Sequence, residues 1–289
     1  MVNERVYPLD AEALALFARK GEMPGVRVPQ SGMANGLKVR RVLQLTHDLL
    51  RGDLRGRRIL DLGCGEGVYA IEAALHGAEV LALDARTERM ALGAATAKRH
   101  GIGGVTFAQR DVRTATRDSV GSFDAVYALG ILYHLDAPDL FVLLANLREL
   151  CTGFMIVDTL IAPDADTTVE WEGLRYEGRR VREHEDRDSA QTRRARVLRS
   201  IDNSFAFRFT RSALVHALHA AGFSSVLECL VPFEPDKAPD RITLLATCGQ
   251  AVGISTYPWV NGKTEGELAS ALAMALGEAA SARSDDASR

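Results

Sequence analysis

Short apolar runs closed by an acid or a glycine alternate with longer stretches of helical periodicity through the middle of the chain. Arg57–Leu62, Glu79–Asp84, Val105–Ala108, Phe123–Gly130 and Phe154–Thr159 have the length and composition of strands buried on both faces. Between them, Val68–His76 and Ala85–His100 read as helices. A third helix begins near Pro138 and runs through Leu140, Val142, Leu143, Leu144, Leu147 and Leu150. Five strands separated by helices predict a parallel sheet with helices on both faces. Further on, Thr210 can cap a helix over Arg211–Ala221 that Gly222 ends. Phe223–Val231 and Arg241–Cys248 then read as two antiparallel strands joined by the proline-rich loop 232–239.

Before the first strand, Asp10 can cap a helix over 11–20 with an apolar stripe of Leu14, Leu16 and Phe17. The stretch 22–36 is a loop rich in proline and glycine, and 37–50 resumes helical periodicity. At the far end, 265–280 can form an amphipathic helix and 281–289 reads as a disordered tail.

The densest local signal is Ile59–Ala70, where the first strand runs into Asp61 and then into Gly63, Gly65 and Gly67. Glycine is needed where backbone bends sharply or a ligand comes close, so this turn is a ligand cradle. A dinucleotide fingerprint spaces its glycines as G-x-G-x-x-G. The spacing here is G-x-G-x-G, which argues against NAD. The second strand ends in Asp84, which lies 21 residues after Gly63, and the third leads to Asp111. Strand ends one and two are neighbours at the crevice of a doubly wound sheet, so Asp84 can accept ribose hydroxyl protons there. It can also cap the helix that follows.

With these residues in view the chain resembles the class I S-adenosylmethionine-dependent methyltransferases. The resemblance spans residues 37 to 248. It implies a Rossmann-like, seven-stranded, mostly parallel sheet with an antiparallel last strand, helices on both faces and a lid insertion at about 160–205. It also implies S-adenosyl-L-methionine as cofactor, released as S-adenosyl-L-homocysteine. The implied cofactor contacts are Asp61, Gly63, Gly65 and Gly67 under the methionine end and Asp84 with Ala85 at the ribose. Asp111 with Val112 would meet the adenine, and Leu129 with Gly130 lie at the fourth strand end. Residues 1–36 would be a helix and loop that either cover the cofactor mouth or simply pack at the sheet edge.

The segment Ile131-Leu132-Tyr133-His134-Leu135 follows that fourth strand, where ligands of open α/β sheets sit. Tyr133 and His134 are therefore the candidates for chemistry. Methyl transfer is an in-line displacement that depends on alignment and exclusion of water. An imidazole can take the proton of a hydroxyl nucleophile, although in relatives this segment also simply shapes the pocket.

Charge bears on the acceptor. The formal net charge is −3, and residues 170–199 carry nine arginines against seven acids. Mixed signs with few aromatics speak against a nucleic-acid groove. Trp171–Val181 looks like a hairpin or arm, and 188–200 like a solvated helix. As a lid, this insertion would offer Trp171, Arg175 and Tyr176 to an acceptor, joined by Phe207 and Arg208 from the aromatic run 204–210. Arginines there could bind an anionic acceptor. A charged surface arm, or core packing for the phenylalanines, stands beside that reading.

Four scattered cysteines without metal-ligand spacing read as buried thiols, and no metal site is expected, since His134, Asp136 and Asp139 are explained as loop residues. No apolar run has the length of a membrane span, and the first residues lack a signal peptide's apolar core, so a cytoplasmic protein is expected. The C-terminal helix packs on the domain or on a second copy in a homodimer. The leading functional expectation is methyl transfer to oxygen or nitrogen of a small, anionic metabolite. The alternatives are tRNA base modification, because 130–135 also resembles the wobble-uridine carboxymethyltransferases, and non-catalytic cofactor binding.

Overall fold

The computed structural model describes residues 36–230 and 237–250. The expected helices at 11–20 and 265–280, the tail at 281–289 and most of both proline-rich loops lie outside the described residues. The elements run α1 (Gly36–Leu49), β1 (Arg58–Leu62), α2 (Val68–Leu75), β2 (Glu79–Asp84), α3 (Thr87–Arg99), β3 (Val105–Gln109), α4 (Arg117–Val120) and β4 (Phe123–Leu129). They continue as α5 (Asp139–Leu150), β5 (Cys151–Leu160), β6 (Thr167–Trp171), β7 (Leu174–Arg182), α6 (Ala190–Ala195), β8 (Phe205–Phe209), α7 (Arg211–Ala220), β9 (Ser225–Glu228) and β10 (Arg241–Thr247).

Seven strands form one sheet in the order β3-β2-β1-β4-β5-β10-β9. Neighbours from β3 to β5 pair in parallel, and β10 runs antiparallel to both β5 and β9. This is the Rossmann-like sheet that the resemblance implies. Its period-two alternation divides the core cleanly. Leu60, Val126 and Val157 face α5 and α7, where Leu140, Leu144 and Leu214 meet them. Ile59, Tyr127 and Ile156 face the opposite way, toward Val42 and Leu43 of α1 and Tyr69 of α2. On that face the Tyr127 hydroxyl lies 2.7 Å from the Thr46 hydroxyl, which satisfies a phenol that burial otherwise strands. No helix among the described residues is long and apolar enough to cross a membrane.

The chain between β5 and α7 departs from expectation in two places. The arm is a hairpin, but 205–209 joins it as a third strand in a separate sheet ordered β6-β7-β8. The solvated helix expected over 188–200 is shorter, spanning only Ala190–Ala195. Arg86 explains the stop. Its guanidinium binds the carbonyls of Arg194, Arg196, Arg199 and Ser200 at 2.9–3.2 Å, and three of these lie past Ala195, in chain outside the helix.

Candidate functional site

The first βα turn is built on backbone that only glycine adopts freely. Gly63, Gly65 and Gly67 have φ of 64°, 55° and 70°. Gly67 is doubly constrained, because a Cβ there would stand 2.4 Å from the Phe107 ring. The Gly65 amide donates to Asp84 Oδ2 at 2.9 Å and the Cys64 amide to the Leu83 carbonyl at 3.0 Å, so the turn is tied to the end of β2. Asp84 also accepts the Arg86 amide at 2.8 Å through Oδ1. It does not cap α3, whose first turn is preceded by Arg86 with no side-chain cap.

Asp61 lies beneath this turn and is 1% exposed. Burial first, and the nearby Asp84 charge second, push its carboxyl up to about 8. Its Oδ2 has no hydrogen-bond partner among the described residues. Two neighbouring carboxyls, one with an orphaned oxygen, are a donor-seeking pair at the base of the cradle.

A cleft opens above the strand ends. It is bordered by Gly63, Asp84, Ala85, Asp111, Val112, Gly130 and His134 on the sheet side and by Val197 and residues 199–203 on the insertion side. Seven of the sequence-predicted residues therefore meet in one place. Leu129 and Gly67 do not line it: Leu129 packs in the core at the end of β4, and Gly67 turns the chain into α2. Two arginines beside the cleft hold the insertion over it. Arg86 gathers its carbonyls. Arg113 pairs at once with Asp111, Asp139 and Asp202, at 2.5, 3.1 and 2.7 Å. Both oxygens of Asp111 are thereby engaged by Arg113, and this contact overcomes burial to hold Asp111 below the usual carboxylate range. An adenine amine would have to share that carboxylate.

His134 sits on a single 3-10 turn, Leu132–His134, that follows β4. Its Nδ1 lies 3.2 Å from Glu183 Oε2, and the side chains are 13% and 1% exposed. The same Glu183 oxygen accepts the Ser200 amide at 2.7 Å. Burial alone would raise Glu183, but the contacts with His134 and the Ser200 amide prevail and its carboxyl is held below the ordinary value. An ionised carboxylate only accepts, so Nδ1 carries a proton, and in the neutral ring the lone pair is on Nε2. Asn203 fixes the same turn by donating to the His134 carbonyl at 3.1 Å. Sequence reading missed Glu183. It lies within a run of alternating charges, and nothing local separates it from its neighbours.

The predicted acceptor residues divide. Tyr176 and Phe207 are each 1% exposed. They pack against Phe141 and Phe209, with ring centroids 4.9 and 5.2 Å apart. Trp171 stacks on Phe141 at 5.6 Å. Arg175 reaches outward to Glu170 at 3.6 Å, with its side chain 73% exposed. None of these four borders the cleft. The alternation of β7 and β8 turns their aromatic faces toward α5 and α7, where burial of large rings outweighs display. Arg208 differs, with its guanidinium carbon 5.8 Å from the Tyr133 ring centroid. Tyr133 itself is buried and lies beside His134, centroids 4.3 Å apart.

Comparison with known proteins agrees with this geometry. Residues 59–152 match the family model described as "Methyltransferase domain". Residues 59–152 thus carry the sequence of a methyltransferase domain. Over 87 residues this domain is 30% identical to a ubiquinone biosynthesis O-methyltransferase of Acinetobacter baumannii (strain ACICU), covering 30% of the present chain and 37% of that protein. Over 99 residues it is 33% identical to the Xanthomonas oryzae pv. oryzae (strain PXO99A) protein of the same name, covering 33% and 40%. The match thus spans well under half the length of these curated relatives. The fold extends further: the SAH-bound N-terminal domain of EvdMO1 superposes with a TM-score of 0.62 at 21% identity, covering 82% of this chain and 97% of that domain.

Proposed function

We propose that the protein transfers a methyl group from S-adenosylmethionine to an oxygen or nitrogen of a small metabolite, with His134 as the general base. The observation that carries the reading is that Gly63 of the glycine turn, Asp84 and His134, whose ring is held by Glu183, border one cleft. The residues fit the cofactor. Orphaned Asp61 Oδ2 suits an ammonium, and Asp84, each of whose oxygens takes one amide, keeps lone pairs for ribose hydroxyls. When bound, S-adenosylmethionine supplies a methyl on a cationic sulfur that departs as a neutral thioether.

The chain's own residues then have defined tasks. Glu183 holds Nδ1–H, which fixes the ring and directs Nε2 toward the cleft. His134 Nε2 accepts the acceptor's proton as its oxygen or nitrogen bonds to the methyl carbon. The insertion held by Arg86 and Arg113 covers the cleft and keeps water from competing. A protein that only bound the cofactor would have no use for an oriented imidazole beside it. The small-molecule reading is supported by the O-methyltransferase relatives and by EvdMO1, crystallised in the presence of SAH and D-fucose.

Calorimetric titration with S-adenosylmethionine and S-adenosylhomocysteine, alongside Asp84→Ala, tests the cofactor. We expect one-site binding weakened at least about tenfold, or about 1.4 kcal/mol, in the variant. Absence of binding to either ligand would refute the assignment. Acceptor screening with His134→Ala then tests catalysis: turnover should fall about a hundredfold with cofactor affinity kept.

A further inference from the structure

His134 is held at two points, and both lead to one short stretch of the insertion. Its imidazole meets Glu183, whose Oε2 accepts the Ser200 amide at 2.7 Å, and its carbonyl accepts from Asn203 Nδ2 at 3.1 Å. Ser200 and Asn203 are tied to each other, because the Ser200 hydroxyl donates to the Asn203 carbonyl at 2.8 Å. The other end of the Asn203 side chain leads to the cofactor half of the cleft. Its Oδ1 accepts from Arg113 Nη1 at 3.3 Å, and the same guanidinium engages both oxygens of Asp111. One amide group therefore stands between the carboxylate placed for the adenine and the turn that carries His134.

Arg113 has several acceptors at once. Asp111, Asp139, Asp202 and Asn203 all take its hydrogens. The N–H groups of a guanidinium sit in a fixed planar fork, so it cannot turn toward one acceptor without turning from another. An adenine amine that takes a lone pair of Asp111 weakens the hold of Arg113 there and lets the fork turn toward Asn203 Oδ1. The Asn203 amide is planar as well. Whatever moves its Oδ1 also moves Nδ2, the donor to the His134 carbonyl.

We propose that Asn203 is a positioning residue that couples occupation of Asp111 to the placement of His134. That Asp111 meets an adenine and that His134 takes a proton rest on the methyl-transfer reading. The coupling itself joins two groups of this chain and does not.

The test begins with nuclear magnetic resonance of the full chain without ligand. The His134 carbonyl 13C signal is read, because it responds to the hydrogen bond which that carbonyl accepts. Asp111→Asn keeps an acceptor for the Arg113 amide but gives up the charge that holds the guanidinium. It should move the His134 carbonyl signal in the otherwise wild-type chain. In the Asn203→Ala and Asn203→Asp backgrounds, both of which lack the donor to that carbonyl, it should leave the signal in place. Equal movement in all backgrounds, or none in the wild-type background, overturns the proposal.

Calorimetry with S-adenosylhomocysteine on the same proteins adds a readout that loss of packing does not produce. Asn203→Ala leaves Arg113 to Asp111 and should weaken binding about fivefold, whereas Asn203→Asp draws Arg113 off Asp111 and should strengthen it about as much. Both effects should vanish in the Asp111→Asn background. Weakening by both substitutions, or effects that persist without the Asp111 charge, would refute the coupling. If the wild type binds no S-adenosylhomocysteine, the cofactor assignment fails, and the ligand-free spectra still decide whether Asn203 joins Asp111 to His134.

Discussion

At the scale of single residues, the site depends on which hydrogen each group holds. Glu183 is nearly fully buried and remains charged because His134 and the Ser200 amide both donate to it. It does not border the cleft, so in the proposed reaction it acts through His134 as a positioning residue. Glu183→Gln should leave S-adenosylhomocysteine affinity unchanged while lowering kcat at least about tenfold, part of the factor that general-base catalysis supplies. Glu183→Asp should recover part of the loss. The 15N spectrum of His134 separates positioning from packing. The wild type should show the tautomer protonated on Nδ1, and Glu183→Gln a mixture. A pure Nδ1–H tautomer in Glu183→Gln, with kcat still depressed, would show that Glu183 serves the fold and not the base.

At the scale of elements, the insertion is attached to the cofactor half by two arginines that follow the second and third strands. Arg86 comes two residues after Asp84, and Arg113 two residues after Asp111. The two carboxylates placed for the ribose and the adenine are thus each followed by a cation that binds residues 194–202. Arg86→Ala removes the guanidinium contacts to the carbonyls of Arg194, Arg196, Arg199 and Ser200 and leaves His184 Nε2 on the Ser200 carbonyl at 2.9 Å. Hydrogen bonds from a charged donor contribute about 1.5–3 kcal/mol each when buried, and less here because Arg86 is half exposed. Losing the set should raise tryptic cleavage between Arg187 and Arg199 about tenfold, with the global unfolding midpoint little changed. Equal cleavage rates in the two proteins would mean that Arg113 and the β6-β7-β8 sheet hold the cover unaided. The glycine turn is the contrasting element. Its fastening to β2 is all backbone apart from Asp84, and Gly67 lies so close to Phe107 that any side chain would push the ring.

At the scale of the whole molecule, the sheet was legible in the sequence because buried parallel strands must be short and apolar, and each loop that closes them must turn within a few residues. Asp84 and Asp111 were legible by the same logic, as acids at strand ends. The acceptor side was not. An exposed hairpin and a core hairpin share the same alternation, so Tyr176 and Phe207 could not be told from ligand-facing rings until α5 and α7 were seen against them. Glu183 becomes special only when β7 carries it to His134, across 49 residues of sequence.

One consequence belongs to the whole fold. Where α1 meets the end of α2, His47 Nε2 lies 3.0 Å from His76 Nδ1, and Glu72 is 3.8 Å from His76. Burial first, and the His76 charge second, hold His47 below its ordinary value of 6.5, against the opposing pull of the Gly52 backbone and Asp48. A histidine depressed in the folded state binds its proton more readily when unfolded. Its effect on stability is therefore absent well above pH 6.5 and becomes destabilising as the pH falls below it. Asp61, whose carboxyl is pushed up to about 8, acts in the opposite sense over the same pH range in both proteins, so the test is a difference. Between pH 7.5 and pH 5.5 the urea midpoint of the wild type should fall relative to that of His47→Gln. His47→Gln keeps a polar group opposite His76 but cannot titrate. If the variant loses as much stability as the wild type over the same window, the pH dependence arises elsewhere in the fold.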